Sequence, residues 1–213
     1  MDEALFILGV SGSPRHGATE YCVKEALLAA QEQGKAMGVR VETKMISLAQ
    51  KKVSFCLHCD RCIREKALCH IKDDMQEFYP LIIEAQGFVV ASPVYNMNVS
   101  AQLQAFFNRW RPIYHLNPSH VRGKVGGAIA IGGTRNGGQE MAVSAIVHHY
   151  LTRGMIVVGP EPGYYSGGMV WSQDKKEDGC RNDMRGMESV RQVGRRVVEV
   201  SAKMRGLTGN ERG

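Results

Sequence analysis

The sequence predicts an α/β fold, an open five-stranded parallel sheet, doubly wound, with helices on both faces. Short apolar runs alternate five times with stretches of helical periodicity. The runs at Ala4–Val10 and Gly87–Ser92 are apolar throughout, as strands covered on both faces are. Polar, glycine-bearing turns follow the first and fourth runs, and a proline stops the third. Five strands wound this way favour the order 2-1-3-4-5, with a ligand crevice beyond the carboxyl ends of strands 1, 3 and 4.

Taken in order, Ala4–Val10 reads as the first strand and Ser11–Thr19 as the turn that leaves it. From Thr19 to about Met37, Val23, Ala26, Leu27 and Ala30 recur at helical spacing, and Gly38 fits a helix stop. Val39–Ile46 alternates and reads as the second strand. A cysteine-bearing insertion follows, over residues 50–72. Asp73 or Asp74 can cap a helix that runs to about Ala85. Gly87–Ser92 is the third strand, stopped by Pro93. Ser100 to about Arg111 reads as one helix, with Leu103, Phe106, Phe107 and Trp110 on one side. Lys124–Ile131 is a fourth strand rich in small residues, followed by a glycine-rich turn, Gly132–Gly138, and a helix to about Thr152. Met155–Val158 is the fifth strand. Pro160 to about Arg181 shows no period, and Asp183–Met204 reads as the closing helix before a polar tail.

A chain of 213 residues can bury one sizeable core, and no repeat or linker divides it, so one domain over residues 1–213 is expected. No apolar run approaches the roughly 18 residues of a membrane helix, and the first residues lack a basic flank and a cleavage site. A cytoplasmic protein with no membrane attachment is the expectation. Lys and Arg number 27 against 21 Asp and Glu, a net charge of +6. Basic residues are scattered except near the cysteines and on the last helix, and aromatics do not interleave with them. Nucleic-acid binding is therefore not expected. Six cysteines in a reducing compartment are not a disulfide framework by default. Four are clustered, while Cys22 and Cys180 stand alone and read as packing residues or idle thiols.

The turn Ser11–Thr19 offers what a phosphate needs: backbone N–H groups at a helix start, the hydroxyls of Ser11, Ser13 and Thr19, and the Arg15 cation. Gly12 and Pro14 shape it. It is neither a Walker loop nor a Gly-x-Gly-x-x-Gly dinucleotide turn, so a one-phosphate ligand such as FMN fits better than a pyrophosphate. Two further loops lie at the same sheet edge. Pro93, Val94, Tyr95 and Asn96 follow the third strand; Gly133, Thr134, Arg135 and Gly137 follow the fourth. Tyr95 or Pro93 can stack on a flat isoalloxazine ring, and Arg135 can supply positive charge at its pyrimidine end. A core role for Tyr95 and a plain connection for the glycine run are the bland alternatives.

Cys56, Cys59 and Cys62 fall within seven residues, and Cys69 follows seven positions after Cys62. Four thiolates on a loop this short suit a [4Fe–4S] cluster. A structural zinc site usually pairs two Cys-x-x-Cys knuckles across a longer insert, and it remains the main rival, followed by unligated redox-sensor thiols. His58 and His70 read as neighbours rather than ligands. Lys51, Lys52, Arg61, Arg64, Lys66 and Lys72 surround the cysteines, a field that suits an anionic centre and an acidic redox partner.

These residues together resemble the iron–sulfur flavoproteins, flavodoxin-like relatives of the NADPH-dependent FMN reductases. The resemblance rests on Gly12–Arg15, the Cys56/Cys59/Cys62/Cys69 set, Ser92–Tyr95 with Ser100–Gln102, Gly137–Glu140 and Gly194–Val197. It implies FMN, a [4Fe–4S] cluster, a homodimer or homotetramer, and electrons received from a ferredoxin-like donor. Oxygen or peroxide is an implied outlet. Ala18 stands where many of these relatives carry Asn, so one phosphate hydrogen bond is missing or supplied by backbone.

The leading expectation is a flavin-dependent oxidoreductase that passes electrons through the cluster and FMN to an acceptor. No sequence feature selects a catalytic acid or base. One alternative is an NAD(P)H-dependent FMN or quinone reductase with structural cysteines. Another is a redox- or metal-responsive binding protein.

Overall fold

A computed structural model describes residues 4–207. The first three residues and the end of the polar tail, 208–213, lie outside the described residues. The apolar runs form the strands β1 (Leu5–Ser11), β2 (Val41–Ser47), β3 (Gly87–Pro93), β4 (Val125–Gly132) and β5 (Ile156–Val158), all parallel, in the order β2-β1-β3-β4-β5.

Alternation within each central strand explains why the runs are apolar throughout. Leu8 and Val10 of β1, Phe88 and Val90 of β3, and Ala128 and Ala130 of β4 enter one core. This core is completed by α3 (Met75–Glu84), α4 (Ala101–Asn108) and α6 (Gln139–Leu151). Ile7, Val89, Ala91, Ile129 and Ile131 point the other way, into a core closed by α1 (Ala18–Ala36) and α8 (Met184–Met204). These two helices cross so closely that a Cβ on Gly194 would lie 2.0 Å from the Ala26 carbonyl oxygen. Only glycine fits the α8 side of that crossing.

Three elements depart from the sequence reading. The helix expected over Ser100–Arg111 is two: α4 stops at Asn108, and α5 (Arg111–Leu116) restarts with Pro112 in its first turn, where proline is tolerated. The edge beyond β4 is shared by two segments. β5 pairs only with Val125–Gly127, and a sixth strand, β6 (Gly168–Trp171), pairs with Ile129–Gly132. The stretch after Pro160 showed no period because it holds this four-residue strand and the short α7 (Lys176–Asn182), each too brief for a periodic signal. The cysteine insertion contains one helical turn, α2 (Arg61–Arg64). Among the described residues no helix is long and apolar enough to cross a membrane.

Candidate functional site

At the carboxyl edge of the sheet the chain leaves β1 through a turn held from beneath. Gly12 N–H donates to the Ala91 carbonyl at 2.8 Å, and a Cβ there would meet Leu103 at 2.8 Å. Ser100 donates its hydroxyl to the Gly12 carbonyl and accepts Leu103 N–H at 3.1 Å, so one side chain caps α4 and anchors the turn. Ser13 Oγ accepts Arg15 N–H at 3.1 Å and donates to the Arg15 carbonyl at 2.7 Å. The α1 start carries no side-chain cap, in contrast to α4 and α8, which are capped by Ser100 and Asp183. Its first N–H groups therefore face the space above the turn.

That space is a cleft of about 600 Å³. Ser13, Arg15, Ala18 and Thr19 line one end. Pro93, Val94 and Tyr95 line the second side, and Gly133 the third. Tyr95 is placed by a tight reversal in which its N–H and C=O pair with those of Asn98, with Asn96 and Met97 both at positive φ. This is the primed two-residue turn usually built with glycine. The Tyr95 side is half-exposed at the rim.

The other expected residues lie outside the cleft lining. Ser11 is buried, with its hydroxyl unpartnered beneath the turn. Pro14 shapes the turn, and Asn96 forms part of the Tyr95 reversal. Thr134 and Gly137 are locked by Gln139, whose side-chain amide donates to the Thr134 carbonyl at 2.7 Å and accepts Gly137 N–H at 2.9 Å. Arg135 stacks over the Trp171 ring, 4.5 Å from its centroid, and lines a neighbouring hollow of about 170 Å³.

The cleft also contains residues that sequence reasoning missed. His16 belongs to the turn, and its Nδ1 lies 2.8 Å from the buried Glu20 carboxylate, which Ser47 also contacts. Ser172, Asp174 and Lys176 arrive from the segment after β6. That segment is laced to β4: Trp171 Nε1 donates to the Gly133 carbonyl at 2.9 Å, and Ser172 N–H to the Gly132 carbonyl at 2.8 Å. Gln173, Asp174 and Lys176 have positive φ, a backbone that no residue pattern announced. Arg15 and Lys176 against the single lining acid Asp174 leave the cleft suited to an anion.

The cysteine loop is held at its neck. Asp73 accepts Ser54 N–H at 2.8 Å and Met75 N–H at 3.2 Å, so it starts α3 and also ties down the loop. Asp74 accepts Lys52 N–H at 2.6 Å. Gln76 Nε2 donates to the carbonyls of Cys69 and Ile71, and Arg64 to that of Cys59. All four thiols line one small pocket, backed by Arg109 and Arg111. His58 and Asp60 have positive φ, which turns successive backbone N–H groups to one side, and His58 N–H reaches Cys56 Sγ at 3.4 Å. Burial raises the Cys62 thiol pKa, and neighbouring Cys69 and Cys56 add to this while Arg111 opposes it. Among the described residues, no three Cys, His, Asp or Glu side chains form a group that could hold a metal ion as they stand. The two remaining cysteines are buried, and Cys22 packs on Met187, its Sγ 3.9 Å from the thioether.

Comparison with known proteins matches residues 6–165 to the family described as NADPH-dependent FMN reductase. An iron–sulfur flavoprotein of Archaeoglobus fulgidus is 44% identical over 94% of this chain and 100% of its own. One from Methanocaldococcus jannaschii is 41% identical over 94% and 99%. Among solved structures, RosB with a bound riboflavin-phosphate derivative superposes with a TM-score of 0.69 at 12% identity, over 95% of this chain and 81% of its own. A WrbA-like flavodoxin from Agrobacterium tumefaciens gives 0.63 at 13%, over 94% and 99%. The structural likenesses show the fold, and the sequence matches show descent across nearly the whole length: this chain belongs to the iron–sulfur flavoproteins, in the NADPH-dependent FMN reductase family.

Proposed function

We propose that this protein is a flavin-dependent oxidoreductase that holds FMN in the cleft and a [4Fe–4S] cluster in the cysteine loop. It would draw electrons from a ferredoxin-like donor and deliver them to an acceptor such as oxygen or peroxide. The cluster supplies one-electron steps and the flavin couples them to two-electron chemistry. The observation that carries the reading is the joint presence of two candidate sites. One is a cationic cleft at an uncapped helix start; the other is a loop whose four cysteines open on a common pocket.

Each part of the chain has a role in this reading. The α1 N–H groups, Ser13, Thr19 and Arg15 would bind the phosphate, with Lys176 adding positive charge. Tyr95 and Pro93 would cover the ring, and Gly133 lets backbone approach its edge. Arg135, stacked on Trp171, would act from the rim rather than from the ring's pyrimidine end. Cys56, Cys59, Cys62 and Cys69 would each hold one iron. A structural zinc site usually pairs two Cys-x-x-Cys knuckles across a longer insert, whereas three of these cysteines run consecutively at Cys-x-x-Cys-x-x-Cys, which favours a polynuclear centre.

Lys52, Lys66 and Lys72 form no ion pair among the described residues, which supports an acidic donor docking beside the loop. Phe55 and Leu57 on the same loop are 66% and 60% exposed, which supports a homodimer or homotetramer covering them.

The test is anaerobic purification followed by iron, sulfide and flavin assays. About four irons and four sulfides per chain are expected beside one FMN. Flavin without iron or sulfide would overturn the cluster half of the reading. The matched family's description favours a second reading, direct reduction by NADPH. Rapid bleaching of bound flavin by NADPH, with no donor protein present, would select it.

A further inference from the structure

We propose that Arg109 is a positioning residue for the cysteine loop: it closes the loop before metal arrives and fixes a positive charge behind it. The proposal rests on the cluster reading above only for its second half.

Arg109 follows the last residue of α4, and its side chain is 1% exposed. Its guanidinium forks onto Asp73, Nη1 to Oδ2 at 2.7 Å and Nη2 to Oδ1 at 3.1 Å. The same two nitrogens donate to the Ser54 carbonyl at 2.9 Å and the Ile71 carbonyl at 3.3 Å. Ser54 and Ile71 are the two ends of the loop that carries all four cysteines. Asp73 completes the closure by accepting Ser54 N–H. From below, Tyr79 donates its hydroxyl to the Arg109 carbonyl at 3.1 Å.

A buried ion pair is weak evidence for stability, because desolvation offsets the attraction. This pair is explained by what it reaches, since three of its hydrogen bonds hold the two loop ends, Ser54 and Ile71, without any metal. A lysine has no planar fork and could not hold both carbonyls and both carboxylate oxygens at once. Asp73 balances the Arg109 charge, but Arg109 and not Asp73 lines the thiol pocket, so the pair turns its cationic end to the thiols and favours an anionic occupant and its reduced state.

The experiment compares the wild type with Arg109→Met, Arg109→Lys and Asp73→Asn. Tryptic cleavage of the metal-free protein within residues 56–70 reports closure, because Arg61, Arg64 and Lys66 lie there. The Met and Asn variants should be cut at least tenfold faster, and the Lys variant should fall between them and the wild type. After anaerobic reconstitution the Met variant should retain less than half the wild-type iron and sulfide. The midpoint potential of the centre it retains should be lower than wild type, whereas that of the Lys variant should stay close. FMN affinity within twofold of wild type shows that each variant is folded. If the Met variant fails that check, Arg109→Lys and Asp73→Asn decide. Wild-type cleavage rates in the folded variants overturn the clamp. Wild-type loading and potential in the Met variant overturn the charge. A wild-type protein that takes up no iron or sulfide removes the cluster reading, while the cleavage rates still judge the closure.

Discussion

Ser100 and Arg109 sit at opposite ends of α4, and each holds one of the two candidate sites. Ser100 anchors the Gly12 carbonyl in the turn that leaves β1, while Arg109 grips Ser54 and Ile71 at the neck of the cysteine loop. At 1.5 Å per residue they lie about 13 Å apart along the helix. Leu103, Phe106 and Phe107 bury that helix against the sheet, so the spacing between the sites is set by a rigid, packed element.

Ser100→Ala should loosen the cleft without opening the cysteine loop. The α4 cap and the Gly12 contact are lost together, at about 1–2 kcal/mol of stability. FMN affinity should fall about fivefold, while trypsin resistance of the loop in the apo-protein stays at the wild-type level. Urea unfolding, flavin fluorescence titration and limited proteolysis read the three effects. Equal loss of loop protection would show that α4 does not separate the sites.

Arg15→Gln removes an exposed cation that lines the cleft. FMN affinity should drop about tenfold at low ionic strength, as for one charge-assisted contact to phosphate. The gap between variant and wild type should narrow in about 0.5 M salt, where exposed charges are screened. Riboflavin, which lacks the phosphate, should bind both proteins alike. An equal loss for riboflavin would place Arg15 elsewhere than at the phosphate.

Gly194→Ala inserts a methyl group where α8 meets the Ala26 backbone, a contact that no side-chain rotation relieves. The expected loss is about 2–3 kcal/mol, typical of overpacking, seen as a lower urea midpoint with unchanged slope. A midpoint equal to wild type would mean that α1 and α8 separate at little cost.

His149 stacks on Phe107 with ring centroids 3.8 Å apart, and its Nε2 has no hydrogen-bond partner. Burial, with Arg153 adding repulsion, lowers its pKa to about 3. The unfolded chain, near the ordinary value of about 6.5, therefore takes up the proton first. Stability should fall as pH drops from about 6.5 towards 3, by about 2 kcal/mol at about pH 5 from this group alone. His149→Phe should abolish that portion of the slope. Parallel pH profiles for the two proteins, followed by urea unfolding, would contradict the assignment.

Much of the site could be read directly from the chain because its signals are local. The cysteine spacing marks a candidate ligand set before any fold is known. Ser13, Arg15 and Thr19 sit in a turn whose place after the first strand follows from apolar alternation. Ser172, Asp174 and Lys176 gave no such signal. They reach the cleft through a four-residue strand and three residues with positive φ, none of which produces a periodic pattern. Arg135 shows the converse: its position in the loop was correctly placed at the sheet edge, but the Trp171 ring decides where its charge lies.

The amino-acid order alone determined five strands of the sheet and their winding, the polar turn after β1 and the clustering of four cysteines in one loop, though not the sixth strand. These follow from periodicity and spacing, which act over a few neighbouring residues. Only the tertiary structure decided that Arg109 and Asp73, 36 positions apart, would meet in the interior and close the cysteine loop. Such a pair forms only where packing excludes water and brings distant segments together, and no local pattern encodes that.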